Sequence, residues 1–215
     1  MKFEIITIFP RIFDSFLRES LIKRAISKKL IQVRTWNLRD FSENRHKKVD
    51  DRPFGGGPGM VIEVAPVYRA IKKIRGKKSK KTRVILFSPR GKKLDEALIS
   101  RLAKYDRLIM ICGRYEGVDE RVAAHVADES VSIGDYVLAG GELPAMVLIE
   151  AVSRRIPGVL GKTESLETIK GSYPTYTRPE IFVPESNKKW PVPKVLLSGH
   201  SAKIKEWREK KGLKR

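Results

Sequence analysis

RVILFSPRGK (83–92), RLIMICGRYEG (107–117) and SVSIGDYVLAGGELP (130–144) follow one plan: a short strand-like run, then a loop rich in glycine or proline. The first two runs are continuously apolar, as strands buried on both faces are. Helical spacing fills the gaps near 94–104 and 118–125. Upstream, FEIITIF (3–9) and IQVRTW (31–36) read as two more strands around a helical stretch that includes 20–29, and residues 65–75 read as a helix. Downstream, 142–154 is a helix apolar over much of its surface, ended by Pro157 and Gly158. Strands that alternate with helices predict an α/β fold with a mostly parallel sheet covered on both faces.

In such a sheet the strand C-termini open toward one edge, and the loops there form a ligand crevice. Glycine lets main-chain groups approach a ligand, and proline fixes the loop's path, so the three loops suit an adenosine-sized molecule. Tight strand-to-helix turns would explain the same residues. No G-x-G-x-x-G follows a strand and no G-x-x-x-x-G-K-[ST] occurs, which removes the dinucleotide and nucleoside-triphosphate cradles of those types. GGGPGM (55–60) follows a charged stretch and reads as a flexible lid or substrate loop.

The chain has 215 residues and a formal charge of +20, which points to a polyanionic partner or to a heavily solvated lysine surface. Seven of the ten residues at 72–81 are basic with no aromatic among them, so this run reads as a helix end and exposed loop. The segment 203–215 is a basic helix candidate carrying Trp207. One cysteine, Cys112, excludes a disulfide framework and reads as a buried structural thiol, and three scattered histidines make no metal site. No apolar run reaches the ~20 residues of a membrane span, and Glu4 comes too early for a signal peptide, so the expected location is cytoplasmic. Residues 157–193 carry six prolines, the texture of an ordered loop or linker, and a small helical unit is expected beyond.

Several strings then match one family in order: IFP (8–10), DDRPFGGGPGM (50–60), LFSPRGKKL (86–94), CGRYEGVDERV (112–122), SIGDYVLAGGELPAM (132–146), SRRIPGVLG (153–161), YTRPEIF (176–182) and VLLSGH (195–200) with Trp207-Arg208. Over nearly its whole length the chain resembles the bacterial tRNA (guanine-37-N1)-methyltransferases of the SPOUT superfamily. The resemblance implies an α/β fold, a mostly parallel sheet with a deep trefoil knot, plus a small, shortened helical C-terminal domain. It also implies a homodimer acting on tRNA, with no membrane or DNA partner. The implied domains are 1–160 (knotted, S-adenosylmethionine-binding, catalytic), 161–176 (linker) and 177–215 (helical, tRNA-binding). By position, the methyl donor would be surrounded by Ser88, Pro89, Gly113, Tyr115, Glu116, Ile133, Gly134, Asp135, Tyr136, Val137, Leu138, Gly140, Gly141 and Pro144. His46, Asp50, Arg52, Gly59 and Arg114 are the implied RNA or lid contacts.

Methylation at guanine N1 needs a base for the N1 proton and a cation for charge developing on O6. The family arginine falls on Arg154; a cation there would also suit a helix C-terminus. The family aspartate position, two residues before Pro174, holds Ser172. A serine hydroxyl cannot accept this proton at neutral pH unaided, which leaves Glu167, or Glu164, as the candidate base, with solvation as their other reading. Magnesium assistance is a further implication of the family. Two rival functions stay open at this point: a catalytically silent RNA-binding relative, and a SPOUT methyltransferase acting on another RNA atom.

Overall fold

A computed structural model describes residues 1–77, 79–161, 172–185 and 188–212. The chain falls into two compact units, Met1–Leu160 and Gly161–Arg215.

The first unit opens with β1 (Lys2–Thr7), followed by α1 (Asp14–Leu17), α2 (Ser20–Ser27) and β2 (Gln32–Asn37). Two short strands, β3 (Asp50–Asp51) and β4 (Val61–Ile62), pair antiparallel around the glycine-rich segment 55–60. The chain continues through α3 (Val64–Arg75), β5 (Thr82–Lys93), α4 (Glu96–Leu102), β6 (Arg107–Ile111), α5 (Glu120–His125), β7 (Glu129–Ser132) and α6 (Glu142–Ser153). The main sheet has the order β2-β1-β6-β5-β7, and every neighbouring pair is parallel.

Side-chain alternation along the central strands splits the core in two. Phe3 and Ile5 of β1, Ile85 and Phe87 of β5, and Leu108 and Met110 of β6 face one side, where α2, α4 and α6 supply Ile22, Leu98 and Leu148. Ile6, Val84, Leu86, Ile109 and Ile111 face the other side, where α3 supplies Val67, Ala70, Ile71 and Ile74 at helical spacing. A sheet buried on both faces has no polar alternation to show, which is why its strands read as unbroken apolar runs.

Two differences from the sequence reading have physical causes. SPRGK (88–92) is not a free loop: β5 runs on to Lys93, and both Phe87 and Lys92 pair with Val131, so residues 88–91 form a bulge inside the strand. Gly91 permits this, because a Cβ there would run into the Val131 backbone. The second unit is not helical alone. It contains an antiparallel hairpin, β8 (Ile181–Glu185) and β9 (Lys188–Pro191), before α7 (Lys194–Leu197) and α8 (Ser201–Lys211). Pro184 and Pro191 suppressed the strand signal, as proline does wherever a ladder hydrogen bond is wanted. Phe182 lies opposite Trp190 with ring centroids 5.7 Å apart, and both are about half exposed or more. Tyr176 packs against Trp207, and the Arg208 guanidinium lies over Tyr173.

The lysine run is a helix end and exposed loop: α3 stops at Arg75, and Lys77, Lys80 and Lys81 are exposed. Arg107 donates to the Ile74 and Arg75 carbonyls at 3.1 and 2.6 Å, capping the last turn of α3.

The β5–β7 edge is clamped by Glu129, which accepts from Arg83 Nε at 2.6 Å and from the Arg101 guanidinium of α4. Burial pushes the Glu129 carboxyl upward, but the hydrogen bonds from Arg101 and Arg83 outweigh it and hold the group below the usual range. A depressed carboxyl contributes stability that is complete above its unfolded value and fades as pH falls through the folded one. Glu129→Gln should therefore lower the unfolding free energy by about 1–3 kcal/mol at neutral pH. In urea titrations the gap between wild type and variant should begin to narrow once the pH drops below about 4.3 and close below the lower folded-state value, and a gap that persists in strong acid contradicts this role.

Candidate active site

The loops after β6 and β7, together with the β5 bulge, enclose a cavity of about 460 Å³ at the C-terminal edge of the sheet. Ser88, Pro89 and Arg90 come from the bulge, Gly113 to Val118 from the loop after β6, Ile133 to Gly134 and Tyr136 to Gly141 from the loop after β7, and Pro144 from the first turn of α6. The volume lies in the range of small-molecule sites.

Backbone geometry accounts for the glycines. A Cβ on Gly141 would stand 2.7 Å from the Cys112 Cα, so only glycine lets α6 start this close to the end of β6. The contact is fixed by Gly141 N–H donating to the Gly113 carbonyl at 2.9 Å and by a backbone bridge between Arg114 and Gly140. Tyr115 adopts φ +60, a left-handed conformation that costs a non-glycine residue of order 1–3 kcal/mol, in a turn closed by Gly117 N–H to the Arg114 carbonyl. Ser132 Oγ donates to the Gly134 carbonyl at 2.9 Å and pins the start of the third loop. Exposed Tyr136 and Val137, with Leu138, give the cavity an apolar lip.

The charged lining is mixed. Arg90 pairs with Glu120 at 2.6 Å between exposed side chains. Arg114 donates through Nε to buried Glu142 at 2.9 Å and its guanidinium overlies the Phe9 ring, so this arginine is engaged inside the unit. Burial pushes the Cys112 thiol well above its usual range, with Glu142 adding to the effect, so Cys112 stays protonated and inert.

All the residues named for the methyl donor line this cavity except Asp135, whose exposed carboxylate pairs with Lys93 at 2.6 Å. Arg90, Arg114, Val118 and Glu120 line it as well. Arg90 and Glu120 fall within the quoted strings LFSPRGKKL and CGRYEGVDERV but are not among the donor contacts named from the resemblance; the strand bulge and the start of α5 deliver them to the cavity. His46, Asp50 and Arg52 do not line it. Gly59 lies against the Glu116 side chain, and Glu116 N–H donates to the Met60 carbonyl at 3.0 Å, which holds segment 55–60 beside the site. Arg154 caps the C-terminus of α6 and is absent from the lining. Glu164 and Glu167 lie outside the described residues. Among the described residues no group of three or more His, Cys, Asp or Glu could hold a metal ion, and no helix is long and apolar enough to cross a membrane.

A parallel sheet with a glycine-walled cavity at its strand ends defines an α/β protein with a strand-end ligand site. The chain belongs to the tRNA (Guanine-1)-methyltransferase TrmD family, whose model matches residues 1–215. Proteins named tRNA (guanine-N(1)-)-methyltransferase are similar along the full chain. The one from Ruminiclostridium cellulolyticum is 49% identical, covering 100% of this chain and 92% of the relative. That from Dehalococcoides mccartyi (strain 195) is 46% identical with 100% and 87% coverage, and that from Clostridioides difficile 46% with 100% and 93%.

Gly141→Ala should destabilise the first unit by about 1–3 kcal/mol, because the Cβ meets backbone and not a flexible side chain. A wild-type unfolding midpoint for this variant would contradict the close approach of α6 to β6.

Proposed function

We propose that this protein transfers a methyl group from S-adenosylmethionine to N1 of the guanine at position 37 in the tRNA anticodon loop. The observation that carries the reading is the strand-end cavity walled by Gly113, Gly134, Gly140 and Gly141, in a chain similar over its whole length to proteins named tRNA (guanine-N(1)-)-methyltransferase. The cavity fits the donor: its size and the main-chain groups of its glycine-rich walls suit an adenosine, while Glu116 and Glu120 offer carboxylates to a cationic ligand. When bound, S-adenosylmethionine supplies an electrophilic methyl carbon on a sulfonium.

The protein's own residues do the rest. Guanine N1 carries a proton and must lose it to become nucleophilic, and we assign that proton to the carboxylate of Glu167, or of Glu164. Charge moving onto O6 is met by the Arg154 guanidinium, whose paired donors suit an anionic oxygen.

The positions of Arg154 and the cavity support a homodimer. The cavity takes in Pro144 in the first turn of α6, whereas Arg154 lies ten residues on, about 15 Å away along a helix rising 1.5 Å per residue. No arginine side chain spans that distance, so Arg154 meets the methyl donor of a second copy. Leu143 and Val147 leave an apolar strip on the exposed side of α6 that a partner would cover. Membership of the family supports a knotted passage of the segment after β7 against the segment after β6, where the Arg114–Gly140 bridge lies. The second unit, with Lys203, Lys205, Arg208, Lys210 and Lys211 on α8 and a half-exposed Phe182–Trp190 pair, offers phosphates and bases a suitable surface.

Reverse transcription tests the reading, because a methyl on N1 destroys the Watson–Crick edge. With protein and donor, primer extension on tRNA should stop beside position 37. Read-through accompanied by methyl incorporation would indicate a different RNA atom, and no incorporation would indicate a silent binder. Under single turnover, one of Glu167→Gln and Glu164→Gln, and the double variant, should slow methylation by about 100-fold; unchanged rates in all three remove both as the base. Arg154→Ala and Gly141→Ala proteins, each inactive alone, should regain methylation when unfolded and refolded together, and a mixture that stays inactive argues against a shared site.

A further inference from the structure

Glu142 is the only charged residue among the buried polar residues of the described chain, and its side chain is 1% exposed. Nothing in the methyl transfer assigned above uses it. One of its oxygens accepts from Thr7 Oγ1 at 2.6 Å and the other from Arg114 Nε at 2.9 Å. Thr7 is buried at the end of β1, and its hydroxyl in turn accepts from Phe9 N–H at 2.9 Å. The Arg114 guanidinium lies 4.9 Å from the centre of that same Phe9 ring. Three segments therefore meet on one carboxylate: the end of β1, the loop after β6 and the start of α6.

A carboxylate withdrawn from water costs free energy unless every face finds a donor. Here a hydroxyl and a guanidinium supply them, and the geometry is selective because the guanidinium and the carboxylate that accepts from it belong to different walls of the cavity. Arg114 belongs to the wall 113–118, and Glu142 follows directly on the wall 133–141. The wall at 113–118 also carries the glycine-rich segment, through Glu116 N–H to the Met60 carbonyl, Ile62 N–H to the Gly117 carbonyl and Asp119 N–H to the Ile62 carbonyl.

Resting on the function proposed above, we infer that Glu142 is a positioning residue for methyl-donor binding: it locks the two glycine walls in register and, through Arg114, sets the segment 55–62 beside them. Loss of the carboxylate charge leaves one donor unanswered, and the walls then part by way of the loop that carries Arg114. The donor site loosens before the sheet does, since the sheet's own ladder does not involve Glu142.

Calorimetric titration with S-adenosylmethionine and steady-state methylation of tRNA test this on the full chain. Glu142→Gln should weaken donor binding roughly tenfold or more, with kcat at saturating donor falling far less. Thr7→Val, which removes the hydroxyl at constant volume, should weaken donor binding in the same direction, and Thr7→Ser, which restores it, should bind as wild type does. If Glu142→Gln does not fold, the Thr7 pair decides the matter. Variants that melt earlier yet bind the donor with wild-type affinity would overturn the proposal and leave Glu142 a stability residue only. A wild-type protein that binds no donor would instead overturn the function proposed above, so the two failures are distinct.

Discussion

The structure turns on one close approach, that of the α6 N-terminus to the end of β6. Both are main-chain surfaces, and they meet because Gly141 carries no side chain and its N–H finds the Gly113 carbonyl. Everything that makes the cavity follows from this contact. The loop after β7 must return across the loop after β6, the two loops become facing walls, and the first turn of α6 closes the floor with Pro144. A side chain at that point would separate the walls and leave two unrelated turns. The five-stranded sheet supplies the rigid base that makes so narrow a tolerance useful, since its central strands are packed on both faces and cannot yield.

Much of this was legible in the sequence, and unevenly so. The alternation of apolar runs with amphipathic stretches gave the layers, because burial on both faces and burial on one face leave different periods in the residue pattern. The three glycine-bearing loops could be placed at the strand ends for the same reason. What escaped was whatever depends on how distant segments meet. RVILFSPRGKK reads as strand then loop, yet the chain re-enters the ladder at Lys92, a return set by Val131 on another strand. The hairpin at 181–191 was hidden by its own prolines. Asp135 sits within a glycine-rich loop and looks indistinguishable from its neighbours, but it turns outward to Lys93. Glu142 in GGELP reads as an ordinary helix-initiating acid, since nothing local announces that Thr7 and Arg114 will converge on it.

Charge is distributed by a similar logic. Several acidic groups in the first unit are paired to specific arginines, as Glu129 is to Arg83 and Arg101, Asp128 to Arg75 and Asp119 to Arg121. The net charge of +20 attracts a polyanion at long range without choosing among sequences. Selection has to come from the cavity and from the segments that border it.

Cys112 is the chain's sole sulfhydryl, and it lies buried just beyond the last residue of β6. The folded molecule accordingly presents no thiol to oxidants, so intermolecular crosslinking through sulfur requires prior exposure of the interior. The rate at which an alkylating reagent captures that single atom becomes a built-in clock for opening of the layer on which catalysis stands.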